Sequence, residues 1–130
     1  MAVNVAPPRP DLAAHREALS FPWPELIRRL TEILGLKLTA YIAGENDVRS
    51  LDTWINGSAP CGEVEQRLRI TYQVVRTLSQ QDSPRIVQAW LTGVNPELGD
   101  RVPVRLLRDG DLGTLAQEIM GAARAFIPGG

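Results

Sequence analysis

Residues 38–60 read LTAYIAGENDVRSLDTWINGSAP, and this stretch decides the fold of the chain. It predicts two short helices, Leu38–Ala43 and Asp47–Asn56, joined by a tight turn at Gly44–Asp47. Apolar residues recur at three- and four-residue steps on the second helix and define its buried face: Val48, Leu51 and Ile55. A tight turn sets the second helix at a steep angle to the first, so its opposite face is left open for contacts with another molecule.

Helical spacing continues on both sides of this stretch. Apolar residues repeat with helical period over 26–34 and again over roughly 63–78. Ser83 followed by Pro84 starts a further helix, and Asp111 is placed to cap the last one. Because alternating patterns stay shorter than about four residues, we predict an all-α fold.

Turn residues suggest three segments. The proline-containing residues 1–22 are predicted to be a flexible tail with a short helix, residues 23–79 a helix-turn-helix domain, and residues 80–130 a second helical module.

Composition excludes several function classes. The apolar fraction is 44% and the charged fraction 22%, which is typical of a globular domain. His15 and Cys61 are single residues of their types, without the spacing of a metal site or of a nucleophile with its base. We therefore expect no catalytic residues, no metal, no cofactor and no enzymatic activity. The chain shows no signal peptide and no apolar run long enough to span a membrane, so a cytoplasmic location is expected.

Residues 38–60 resemble the helix-turn-helix of Xre/Cro-type repressors. Trp54 and Gly57 match the way in which that family ends its recognition helix. The resemblance implies DNA binding through the exposed side of this helix, by Arg49, Ser50, Thr53 and Asn56. The alternative is a helical hairpin without a DNA role.

Charge argues against strong non-specific DNA binding. The chain carries 14 basic and 15 acidic residues, and the segment from Pro24 to Leu78 holds seven of each. Asp47 and Asp52 would also repel phosphate near the recognition helix. A single copy is therefore expected to bind DNA weakly.

A second motif lies in residues 86–110, IVQAWLTGVNPELGDRVPVRLLRDG. Asn95-Pro96 favours a turn, Gly99 permits a left-handed backbone, and Pro103 restarts a helix. These residues predict a rigid loop packed under Trp90. Such a loop either connects helices or presents a partner surface.

This motif resembles the toxin-binding domain of the Xre/MbcA/ParS antitoxin family, on ten residues: Trp90, Leu91, Asn95, Pro96, Leu98, Gly99, Arg101, Pro103, Leu106 and Leu107. Two positions depart from the family pattern. Gly93-Val94 replaces a step that is usually polar or proline-containing, and Asp100 stands where a second glycine is common. The resemblance extends from about Leu26 to Phe126, with the two modules in the family's order.

The resemblance implies an antitoxin of a type II toxin–antitoxin system. Its partners would be a RES-domain toxin that consumes NAD and the operator DNA of its own operon, bound as a homodimer or a toxin-bridged oligomer. The implied partner-binding residues are Trp90, Asn95, Arg101, Arg105, Arg108, Arg124 and Phe126. Phe126 has two interpretations, since its ring is expected either to close the last helix onto its own core or to anchor a partner. Two other functions stay open: a stand-alone transcription factor with a C-terminal dimerisation domain, and a partner-binding protein whose helix-turn-helix has lost DNA.

Overall fold

The computed structural model describes residues 10–60 and 62–128. The predictions for residues 1–9, for Cys61 and for the last two residues lie outside this part of the chain. The described residues form an all-α fold of eight α-helices with no strand. The helices are α1 Pro10–Ser20, α2 Trp23–Leu34, α3 Leu36–Ile42, α4 Arg49–Ile55, α5 Gly62–Ser79, α6 Pro84–Thr92, α7 Pro103–Asp109 and α8 Leu112–Phe126. A 3-10 helix, Pro96–Leu98, lies between α6 and α7.

The capping residues predicted for the starts of α6 and α8 differ in whether they form a capping hydrogen bond. The Ser83 hydroxyl accepts the backbone N–H of Ile86 at 3.4 Å, with Pro84 in the first turn, so the predicted start of α6 is confirmed. Asp111 occupies the predicted capping position of α8, but its side chain makes no capping hydrogen bond to the backbone. Its carboxylate instead accepts the hydroxyl of Thr114 at 3.5 Å.

The connection between α3 and α4 is longer than predicted. It runs over Ala43–Val48 rather than Gly44–Asp47, because α3 ends at Ile42 and α4 begins only at Arg49. The Asp47 carboxylate accepts the backbone N–H of Arg49 at 2.9 Å, and this bond holds Asp47 ahead of the helix instead of inside it. The second helix of the pair is consequently seven residues long.

One hydrophobic core joins the predicted segments. Buried residues from α2 through α8 belong to a single cluster, centred on α5, whose Leu68 and Val75 are fully buried. The predicted helix within residues 1–22 is α1, which packs on α5 with Ala14 buried. The division predicted at 79/80 therefore marks a turn between helices and not a gap between two cores.

Two arginines also connect α3 and α5 with α7. Arg67 donates to the carbonyl oxygen of Leu107 at 3.1 Å, and Arg108 donates to that of Tyr41 at 2.8 Å. Both bonds supply donors to carbonyls near helix ends, where backbone oxygens lack partners within their own helix. They fix α7 against α3 and α5, and so fix the position of the loop that precedes α7.

Candidate partner-binding surface

An apolar groove lies between the end of α6 and the end of α8. Its volume is about 350 Å³. The side chains that shape it include Trp90, Val94, Pro96, Ala122, Ala125 and Phe126. We call this feature the α6–α8 groove. It unites three residues that the sequence pointed to as partner-binding: Trp90, Asn95 and Phe126.

Two of the apolar side chains that line this groove are exposed to solvent. Val94 is 69% exposed and Phe126 44% exposed. The Phe126 ring lies against the half-buried Trp90, with 6.3 Å between ring centroids. Exposed apolar residues that meet at a concave surface are typical of a partner-binding site.

Of the two interpretations of Phe126, closure of the last helix onto its own core does not agree with its exposure of 44%. Helix α8 ends at this residue, and the next residue, Ile127, is extended with φ −82° and ψ 127°. This change of direction turns Ile127 into the core, where it is 6% exposed. Ile127 therefore covers the core at the end of α8, and the Phe126 ring remains at the groove.

The floor of the groove is a rigid loop centred on Asn95. This asparagine is buried, and its side-chain oxygen accepts the N–H of Glu97 at 2.9 Å. Its backbone N–H donates to Arg101 at 3.1 Å, and its carbonyl accepts from Asp100 at 2.9 Å. Because its side-chain oxygen, backbone N–H and carbonyl are all used within the loop, Asn95 holds the shape of this surface.

The loop reverses through two consecutive left-handed residues. Gly99 has φ 65°, as its sequence position predicted. Asp100 has φ 64° and is the positive-φ residue other than glycine in the described chain. The family that the motif resembles commonly has a second glycine at this position, and the backbone shows the physical reason.

We predict that Asp100→Gly stabilises the protein by up to about 0.5 kcal/mol. The left-handed conformation costs roughly 1–2 kcal/mol for most residues with a Cβ, with aspartate at the low end because it tolerates this conformation better than most, and the gain is partly offset by the greater freedom of glycine in the unfolded chain, about 0.5–1 kcal/mol. Urea unfolding measures the difference. Glu97→Gly is the matched control, since Glu97 is exposed in the same loop but has an ordinary backbone, and this variant should lose stability. A loss in both variants would contradict the strain at Asp100.

The predicted arginines do not gather at the α6–α8 groove. Arg101 and Arg105 line a second groove, of about 400 Å³, beside Val102 and Leu106. Arg101 forms an ion pair with Glu118 and also donates from Nε to the carbonyl of Leu98 at 2.6 Å. The second groove therefore offers a partner the exposed Arg105 more readily than Arg101.

Arg108 and Arg124 occupy other positions. The Arg108 guanidinium lies 4.5 Å from the centre of the Tyr41 ring, in addition to its bond to the Tyr41 carbonyl. This side chain holds α7 on α3, so the structure does not support its predicted place on a partner surface. Arg124 is half-buried in the last turn of α8.

The outer face of α4 has the predicted orientation. Arg49, Thr53 and Asn56 are exposed and Ser50 is half-buried, whereas Leu51 and Trp54 are buried on the opposite side. The Asn56 amide donates to the carbonyl of Asp52 at 2.9 Å, which uses one of its two N–H donors.

Arg49 forms an ion pair with Asp47 that sequence reasoning did not include. The hydrogen bonds and charge of Arg49 lower the pKa of the Asp47 carboxyl, and the same pair raises the pKa of Arg49. The acidic residue that was expected to repel phosphate is therefore already paired with a cation.

Sequence reasoning missed Val94, the most exposed apolar residue of the groove. Its signal was visible as a departure from the family pattern, because an apolar residue directly follows Gly93, which ends a helix, where polar residues are usual. An apolar residue at the start of a loop, which belongs to no apolar helix face that would bury it, is a candidate for a contact surface.

No protein-family model, curated protein or solved structure matches this chain. Within residues 10–60 and 62–128, no helix is both long and apolar enough to cross a membrane, and no group of three or more His, Cys, Asp or Glu side chains could hold a metal ion.

Proposed function

We propose that this protein is the antitoxin of a type II toxin–antitoxin system and neutralises a RES-domain toxin by binding it through the α6–α8 groove. The supporting observation is the exposed pair Val94 and Phe126. Val94 lies on the rigid loop inside the segment that resembles the family's toxin-binding domain, and Phe126 lies at the end of α8, on the other side of the same groove. Apolar anchors at the centre of an interface carry most of its binding energy. Here they are held in place before binding, which reduces the entropy lost on association.

The proposal also includes operator binding by the outer face of α4. The helix directs Arg49 and Thr53 to solvent while its apolar side anchors it to the core. The near-neutral charge of the chain gives little non-specific attraction to phosphate. A homodimer or a toxin-bridged oligomer would engage two half-sites, and the second contact then gains about 10²–10⁴-fold from effective concentration.

A stand-alone transcriptional regulator is the second candidate. The lining of the α6–α8 groove is largely apolar, which suits a second copy of the chain as well as a toxin. The two functions differ in what occupies the groove when the chain is alone in solution.

Co-expression with a RES-domain reading frame adjacent to the gene tests the proposal. We expect the two proteins to copurify and the growth arrest caused by the toxin alone to be relieved. A harmless neighbouring protein, or a toxic one that does not copurify, would contradict it. If the isolated chain also forms a dimer that Val94→Asp dissociates, while no partner copurifies, the regulator is the correct function.

A further inference from the structure

The pair formed by Asp47 and Arg49 has a defined geometry at the start of α4. One carboxylate oxygen of Asp47 accepts the backbone N–H of Arg49 at 2.9 Å. The other oxygen accepts from the Arg49 side chain, at 3.2 Å from Nε and 2.8 Å from Nη2. A single carboxylate thus fixes both the first turn of α4 and the direction of the guanidinium.

The bonds to Asp47 use one edge of the guanidinium and leave the other donors exposed. A guanidinium is a planar fork with donors along its Nε edge and at its far end. Asp47 occupies the Nε–Nη2 edge, so the N–H groups at the far end of Nη1 and Nη2 stay available. The Arg49 side chain is 88% exposed, and these donors reach solvent. Two parallel N–H groups match the O6 and N7 acceptors that guanine presents in the major groove.

The position of Arg49 on α4 agrees with this chemistry. Arg49 is the first residue of the helix, and Leu51 and Trp54 anchor the opposite side to the core. In a helix-turn-helix, residues at the N-terminal end of the recognition helix contact base edges. A long side chain that is already held in one direction also loses less conformational freedom when it binds.

We infer that Asp47 is a positioning residue that holds Arg49 for bidentate recognition of a guanine in each operator half-site; this rests on the operator binding proposed above. Asp47 then contributes specificity to a surface whose low net charge contributes little affinity. The opposite role, repulsion of the DNA backbone, predicts the opposite response to neutralising Asp47, and the two roles can be separated by experiment.

Asp47→Asn is the decisive variant. The asparagine oxygen can still accept the N–H of Arg49, so α4 keeps its local start, but a neutral amide holds a guanidinium far less strongly than a carboxylate. Asp52→Asn is the matched control. This variant also removes one negative charge, from an exposed position in the first turn of α4. Among the described contacts, however, Asp52 forms no ion pair with Arg49. Melting curves from circular dichroism establish that both variants fold.

The experiment begins with selection of binding sites from a random duplex library at fixed salt, with the full chain in its toxin complex. The selected duplex, and duplexes in which the selected guanine is replaced, are then titrated with each protein variant. We expect the wild type to prefer one guanine per half-site. Arg49→Ala should lose that preference, and Asp47→Asn should reduce it about two- to fivefold, the range expected from the loss of an exposed ion pair. Asp52→Asn should keep the preference and bind every duplex more tightly.

Two outcomes would overturn the inference. Tighter binding by Asp47→Asn to all duplexes, with the guanine preference intact, would show that Asp47 only repels phosphate. Absence of sequence-selective binding by the wild-type complex would overturn the inference together with operator binding. Neither result affects copurification with the toxin, so failure here is distinguishable from failure of the antitoxin function.

Discussion

Val94→Asp is expected to weaken binding of the proposed toxin partner by at least about 100-fold. Val94 is 69% exposed in the free protein, so the fold tolerates a carboxylate there, but the same carboxylate would be buried without a partner in the complex. Burying an unpaired charge costs several kcal/mol, and each 1.4 kcal/mol is about tenfold in affinity. Titration calorimetry of the purified toxin with the variant measures the loss.

Ile86→Asp is the matched control for this experiment. Ile86 is also an exposed apolar residue of α6, at 44%, but it does not line the α6–α8 groove. Its position in the first turn favours an acidic side chain. Phe126→Ala gives a second measure, since it removes an exposed anchor without adding charge. Equal affinities of Val94→Asp, Phe126→Ala and wild type would show that the toxin binds elsewhere.

Trp54→Ala is expected to lower the free energy of unfolding by about 3–5 kcal/mol. The indole is 7% exposed and meets the Trp23 ring edge to face, with 6.1 Å between centroids. Its removal leaves a cavity between α2 and α4 and withdraws the contact that sets the angle of α4. For a domain of this size total stability is about 5–15 kcal/mol, so the variant should be marginal. Urea unfolding followed by circular dichroism gives the value.

Arg49→Ala provides the contrast on the same helix. Its side chain points to solvent, and the melting temperature should stay nearly unchanged. Trp54→Phe keeps most of the buried volume and should recover much of the loss if Trp54→Ala does not fold. Similar losses of stability in Arg49→Ala and Trp54→Ala would mean that α4 buries a different face.

Features of the fold that depend on neighbouring residues in the chain were predictable. The all-α class follows from apolar spacing, and so does the buried position of Leu51. Val48 and Ile55, predicted on the same buried face, are half-buried. The start of α6 at Ser83-Pro84 and the left-handed Gly99 follow from the backbone preferences of those residues alone.

The candidate site was predictable only in part. Trp90 and Phe126 were recognised from their residue types and from the surrounding motif, and the structure places both at one groove. The arginines could not be assigned in the same way, because a long cationic side chain reaches whichever acceptor the fold brings near it. Tertiary packing brought Tyr41 to Arg108, and Glu118 to Arg101.

The sequence by itself determined which segments are helical, where several of them begin and which faces they bury, because these depend on spacing and backbone preference within a few residues. Tertiary structure decided what was left at the surface. Phe126 and Ile127 are adjacent and both apolar, and only the extended backbone after α8 and the space in the core determine that Ile127 is buried and Phe126 exposed. The exposure of Phe126, which helps to define the groove, is therefore a property of the packed protein, because it depends on Ile127 occupying the space in the core.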